Sequence, residues 1–243
     1  MDYAIVSEKG ERQMNEDSVA AVECDGRWLF VLADGLGGHG HGEVASAIVT
    51  DTARMVITQS AGESGQLDEL IEAIFETAQE RLFERQTMDS DSTSYKTTAV
   101  MLTVNEQSVR WGHIGDSRLY YFRKNRLMTR TMDHSVPQML VNAGQLKEKQ
   151  IRGHEDRNKL LRVLGTKYDS VKYVIDIPVR REEKQAFLLC SDGFWEWIDE
   201  KKMTKFLKKS GSAQQWLDLM TAEVLKNGSG SNMDNYSAAA IIL

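Results

Sequence analysis

Two apolar runs in this chain end on the same dipeptide. Phe30-Val31-Leu32-Ala33 leads into Asp34-Gly35, and Phe187-Leu188-Leu189-Cys190-Ser191 leads into Asp192-Gly193. A third run, Trp111-Gly112-His113-Ile114-Gly115, ends at Asp116. A carboxylate at the end of a buried strand is costly unless it is paired, hydrogen-bonded or bound to a cation. The glycine that follows has a reason too, because it lets the backbone approach an ion closely. Asp17, in Asn15-Glu16-Asp17, and Asp234, in Asp234-Asn235, also flank strand-like runs. If those strands share one core, Asp17, Asp34, Asp192 and Asp234 can meet at one edge. An all-oxygen set of that kind suits Mg²⁺ or Mn²⁺, and without cations its charges repel. One such aspartate reads as a turn residue; the repeated context points to metal.

The loop after Asp34 also satisfies G-x-G-x-x-G through Gly35, Gly37 and Gly40, the form of a dinucleotide-binding turn. That fold needs a second strand with an acid about 20 residues on. Here Gly42–Gln59 reads as a helix and runs into a Ser/Gly loop, and Asp34 would face a pyrophosphate with like charge. There is no GxxxxGK[ST] run either. The glycines are therefore read as turning the loop away from Asp34. His39 is expected to structure that loop, with a catalytic role as the alternative; His113, His134 and His154 are read as structural.

Strand-like runs span 3–7, 18–23, 28–33, 97–104, 108–114, 117–123, 171–177, 185–190 and 236–243. Helical patterns cover 42–59, 67–85, 200–209 and 213–226, and 134–165 is mostly helical and irregular. In the second helix Leu67, Leu70, Ile71, Ile74, Phe75, Ala78 and Leu82 recur at helical spacing, a core-facing stripe. This order lacks βαβ alternation and predicts an antiparallel α+β layout with helices covering sheets. The apolar last run, 236–243, is expected inside a sheet rather than at an edge. No Pro-rich or low-complexity linker divides the 243 residues, which read as one domain.

A net charge of −6 argues against nucleic acid as the main partner. No run approaches the roughly 18–20 apolar residues of a membrane span, and the N-terminus lacks a secretory layout. Cys24 and Cys190 form no CxxC and are expected as reduced thiols in the cytoplasm.

Taken in order, these residues resemble the metal-dependent Ser/Thr protein phosphatases of the PPM, or type 2C, family, and in particular its bacterial single-domain members. Arg12-x-x-Asn15-Glu16-Asp17 is similar to the first family motif, and Asp34-Gly35-Leu36-Gly37-Gly38-His39 with Gly42-Glu43 and Ala45-Ser46 to the second. Thr97-Thr98-Ala99, Gly115-Asp116-Ser117-Arg118, Asp133-His134-Ser135, Ser191-Asp192-Gly193 and Asp234-Asn235-x-Ser237 follow in family order. The resemblance implies a β-sandwich of two antiparallel sheets flanked by helix pairs (α-β-β-α), with a flap segment at about 134–165. It implies that Asp34 bridges two Mn²⁺ or Mg²⁺ ions, with Gly35 offering its carbonyl and Asp17, Asp192 and Asp234 completing the pair. Asp116 would form a third, weaker site with Asp192, Arg12 would hold the substrate phosphate, and Glu16 and Asn235 would stand behind the ligands.

The implied reaction is hydrolysis of phosphoserine or phosphothreonine by direct attack of a metal-bridging hydroxide. The implied protein is a cytoplasmic monomer acting on the substrates of a Ser/Thr kinase. A catalytically silent binding module of the same fold, and a hydrolase of small phosphoesters, are the alternatives. Three positions depart from the family pattern. Leu36 stands where some members have a histidine, which leaves protonation of the leaving group to metal-bound water. His41 and Lys96 stand where glycine is common.

Overall fold

The computed structural model describes residues 1–37, 41–62, 66–89, 95–168 and 172–243; His39 lies outside them. Two antiparallel sheets face each other. One has the order β1 (Asp2–Glu8), β11 (Tyr236–Ile242), β10 (Gln185–Cys190), β6 (Arg118–Arg123) and β7 (Arg126–Arg130). The other has the order β2 (Asp17–Cys24), β3 (Arg27–Asp34), β4 (Ala99–Val104), β5 (Ser108–Ile114) and β8 (Val174–Ile175), with β9 (Val179–Arg180) also on β5.

The runs read as fully buried strands are buried for different reasons on their two faces. Along β3, Phe30 and Leu32 point into the layer between the sheets, whereas Leu29, Val31 and Ala33 point toward helices. β10 does the same, with Phe187 and Leu189 between the sheets and Ala186, Leu188 and Cys190 on the helix side. A strand covered on both faces shows no polar alternation, which is why these runs are continuously apolar. α1 (Gly42–Gln59) and α2 (Leu67–Met88) cover the second sheet, and the predicted α2 stripe is buried against it. α5 (Glu200–Lys209) and α6 (Ala213–Gly228) cover the first. The architecture is the expected α-β-β-α, and β11 is an interior strand between β1 and β10.

Three details differ from the sequence reading. β7 was not expected: Arg126–Arg130 is largely exposed, so burial imprints no apolar period on it. Its register is fixed by a tight turn in which Lys124 and Asn125 both adopt positive φ, 48° and 56°, the conformation that a type I′ hairpin requires. The strand expected over 171–177 pairs only at Val174–Ile175 among the described residues. Asp192-Gly193-Phe194-Trp195 forms a helical turn, α4 (Asp192–Trp195), directly after β10. The segment 134–165, expected as a flap, contains α3 (Val136–Asn142) and a 3₁₀ turn, Glu148–Gly153.

Candidate metal centre

Strand register brings the aspartates to one end of the sandwich. Asp17 and Asp34 are opposite partners on the β2–β3 ladder. In the facing sheet, Cys190 closes β10 opposite Arg118 of β6 and Ala238 of β11. Asp116, Asp192 and Asp234 lie just beyond these strand ends, so they fall at the same rim. Ser191 bridges the sheets by donating its hydroxyl to Asp17 Oδ2 at 2.9 Å. The result is a cleft of about 440 Å³ lined by Arg12, Glu16, Asp34, Gly35, Asp116, Asp192, Asp234 and Asn235, with Asn158 and Leu160 contributed by the segment after α3.

Short polar side chains hold the loops that carry these groups. The Asp34 backbone N–H donates to Thr98 Oγ1 at 3.1 Å, and its carbonyl accepts from Thr97 Oγ1 at 2.8 Å and from the Thr98 N–H at 2.9 Å. The Asn235 amide accepts from the Glu16 N–H and donates to the Lys9 and Met14 carbonyls, each at 2.8 Å. It thereby ties the Arg12–Asp17 loop to the start of β11. The two Asp-Gly glycines share a steric reason. A Cβ on Gly35 would sit 2.1 Å from the Gly42 carbonyl oxygen, and one on Gly193 would sit 2.1 Å from the Asn235 carbonyl oxygen. Neither backbone contact leaves room for a side chain.

The rim is electrostatically frustrated. Burial pushes Asp17 up to about 7, with repulsion from Asp192 and Asp234 added. Burial, then repulsion from Asp17, Asp192 and Asp116, holds Asp34 well above the usual carboxylate range. Asp116 and Asp192 are raised for the same reasons, burial first and neighbouring carboxylates second. Glu16, beside Glu43, is raised by burial and that neighbour. Asp17 Oδ1 is buried and has no hydrogen-bond partner, an orphan acceptor that burial makes expensive.

The expected ligands are adjacent, yet they do not all converge as they stand. Among the described residues no three Asp, Glu, His or Cys side chains are gathered closely enough to hold one ion. Asp234 lines the cleft half-exposed, with both its oxygens gripped by Arg12 at 3.0 and 2.9 Å. The donor chemistry nevertheless fits a hard divalent cation. It consists of carboxylates and backbone carbonyls without thiolate or imidazole, includes one orphaned oxygen, and places several negative charges in a protein-lined cleft.

Several supports of this rim join residues that no spacing in the sequence links. Arg118, 2% exposed, makes a bidentate pair with Asp133 at 2.8 and 2.6 Å and lies over the Trp195 ring at 3.4 Å. Trp195 Nε1 donates to the Asp116 carbonyl at 3.0 Å, so this stack sets the height of the Asp116 loop. His134 Nδ1 accepts from the Gly115 N–H at 3.2 Å, and burial drives its pKa down to about 3, which keeps it a neutral acceptor. His113 bonds the Met132 carbonyl, and His154 Nδ1 accepts from the Asp156 N–H, in line with structural roles. His41 stacks on Tyr95 at 4.7 Å and does not line the cleft, whereas Leu36 does.

Removing one partner of a buried ion pair leaves the other charge uncompensated, at about 3–5 kcal/mol. Asp133 keeps Arg130 at 3.3 Å, so Arg118→Ala is expected to cost the low end of that range, about 3 kcal/mol, and to lower the melting temperature by roughly 6–12 °C, while Arg118→Ala/Asp133→Ala recovers part of the loss. Calorimetry of the two variants checks this.

The protein phosphatase 2C family model matches residues 7–227. The chain is 26% identical over 227 residues to the serine/threonine phosphatase stp of Listeria welshimeri, covering 91% of this chain and 88% of that one. The solved structure of the serine/threonine phosphatase Stp1 from Staphylococcus aureus superposes with a TM-score of 0.90 at 27% identity, over 100% of this chain and 95% of that one. The catalytic domain of the serine/threonine protein phosphatase PstP, solved in complex with two manganese ions, superposes with a TM-score of 0.83 at 26% identity, over 98% and 96% of the two chains.

Proposed function

The chain belongs to the protein phosphatase 2C family, and from that premise we propose that Asp17, Asp34, Asp192, Asp234 and the Gly35 carbonyl hold two Mn²⁺ or Mg²⁺ ions. The activity is that of a metal-dependent serine/threonine protein phosphatase, and its substrates are phosphoproteins. The observation that carries the residue assignment is the meeting of five aspartates from both sheets at one rim, with one buried carboxylate oxygen unpartnered.

When bound, such a cation pair supplies an activated water and neutralises charge on both sides of an in-line displacement at phosphorus. The chain's own residues do the rest. Thr97 and Thr98 fix the Asp34 backbone, Ser191 orients Asp17, and Asn235 and Glu16 hold the Arg12 loop against β11. Asp116 stands beside Asp192, where a third, weaker ion would be shared. Arg12 stands at the mouth of the cleft with its two-pronged donor face already shaped for an oxyanion, and it exchanges the Asp234 carboxylate for substrate phosphate. Leu36 offers no proton, so the leaving group draws none from the position after Asp34-Gly35.

We read residues 1–243 as one catalytic unit with 134–165 as its flap, a reading that Asn158 and Leu160 at the cleft support. We also read it as a cytoplasmic monomer opposing a Ser/Thr kinase, with neither nucleic acid nor membrane as a partner. Among the described residues no helix is long and apolar enough to cross a membrane.

Loss of a bidentate, charge-assisted contact is worth about 1.5–3 kcal/mol. Arg12→Ala is therefore expected to cut kcat/KM for a phosphothreonine peptide by roughly 10–100-fold, chiefly through KM, and Arg12→Lys is expected to restore only part of it. The proposal itself is tested by parallel assays with Mn²⁺ on phosphothreonine peptides and on small phosphoesters. Preference for the peptides supports it, and turnover confined to the small esters contradicts it.

A further inference from the structure

α5 carries five lysines and one glutamate in ten residues, on a chain whose net charge is −6. Their surroundings divide them. Lys202 turns toward α6 and pairs with Glu223 at 3.0 Å. Lys209 sits in the last turn, where the helix dipole favours a cation. Lys201 sits in the first turn, where the dipole disfavours one, and the neighbouring Glu200 is engaged by Arg152 at 2.7 Å.

Lys201, Lys205 and Lys208 are spaced by four and then three residues, so they share one helix face and repel one another. No ion pair among the described residues includes them. With Leu127, Thr204 and Glu200 they line a groove of about 440 Å³ between α5 and β7. β7 is the last strand of its sheet, and beside the groove Arg126 is exposed. Charges on an edge strand guard against unwanted pairing, but Arg126 already supplies one, and that task does not call for a lysine row on a separate helix.

We propose that this groove docks an acidic segment of a phosphoprotein substrate, outside the cleft that holds the phosphorylated residue. The proposal rests on the phosphoprotein reading above. An extended chain laid in the groove sets its alternate carboxylates against Lys201, Lys205 and Lys208, with Leu127 as an apolar floor. Docking at a second point raises the effective concentration of the phosphorylated residue at the rim without altering the chemistry there. None of the three lysines lines the metal cleft.

The test uses the full chain and a labelled, unphosphorylated glutamate-rich peptide, read by fluorescence anisotropy. Lys201→Glu/Lys205→Glu/Lys208→Glu is expected to bind the peptide at least 10-fold more weakly than the wild type, and the corresponding triple arginine variant to bind it as well. Binding to the wild type is expected to weaken as salt rises. The charge-reversed variant is also expected to lose a similar factor in kcat/KM on a phosphoprotein carrying an acidic segment, while p-nitrophenyl phosphate hydrolysis with Mn²⁺ is unchanged. Equal peptide binding by the wild type and the charge-reversed variant overturns the proposal. So does tighter binding to phosphatidylserine vesicles than to the peptide, which would assign the face to a membrane. A wild type that binds the peptide but hydrolyses no phosphoester overturns the phosphatase reading and this docking proposal with it. A wild type that hydrolyses phosphopeptides but ignores the acidic peptide overturns only the docking.

Discussion

Asp192→Ala is expected to reduce turnover of a phosphothreonine peptide by on the order of 10³-fold or more, while making the metal-free protein more stable rather than less. The first effect follows from the place of Asp192 in the cleft between Asp34, Asp116 and Asp234. Metal-assisted stabilisation of the transition state is worth several kcal/mol, and each 1.36 kcal/mol is a factor of ten in rate. The second effect follows from burial and the carboxylates around it, which raise the pKa of Asp192. Deleting one of several crowded charges relieves on the order of 1 kcal/mol of repulsion, roughly 2–4 °C for a chain of this size. Steady-state kinetics and calorimetry in chelator check the two halves. A variant with lost turnover and a lower melting temperature in chelator would mean that Asp192 braces the fold, and a variant with unchanged turnover would place the chemistry elsewhere.

Chelation and pH are expected to act together on stability, with a definite sign. Asp17, Asp34, Asp116 and Asp192 are raised above the usual 3.8 by burial first and mutual repulsion second, Asp17 to about 7. Burial likewise raises Glu196 to about 7. Between pH ~4 and ~7 the folded chain therefore holds carboxyl protons that the unfolded chain has released, and stability falls as pH rises through that window. Burial holds His113 and His134 neutral, which works in the opposite direction below their ordinary 6.5 and blunts the trend there.

Divalent ions reverse the trend because they bind the deprotonated carboxylates. At 100 times its Kd, a single ion adds about 2.7 kcal/mol, roughly 5–10 °C at this chain length. Melting curves with Mn²⁺ and with chelator at pH 5.5 and 8 should show a gap that widens at the higher pH. A gap that is absent at both values, or larger at pH 5.5, would contradict the account.

How much of this could be read from the sequence depended on whether burial left a local mark. Asp34 and Asp192 stand out because one closes and the other closely follows a doubly covered strand, and each precedes a glycine that a backbone contact forbids to be anything larger. The α2 stripe was legible for the same kind of reason, a one-sided environment repeated at helical spacing. β7 was not, since its five residues are mostly exposed and its register comes from two left-handed residues in a turn.

The Arg118–Asp133 pair joins β6 to the loop before α3, and the Trp195 ring beneath it comes from α4. No spacing rule links such positions before the chain folds. The sequence marks Arg12 and Asp234 each as site residues, but not their mutual grip across the cleft mouth. It is a contact between the first loop and the start of the last strand, visible only once β1 and β11 lie side by side.

The central claim, a protein phosphatase whose rim of aspartates works through bound divalent ions, is tested most directly by phosphate release from a phosphothreonine peptide with Mn²⁺, with Mg²⁺ and with a chelator. The account predicts turnover with at least one of the two ions and none in chelator. Absence of turnover with either ion, together with no ion binding by calorimetry, would contradict it.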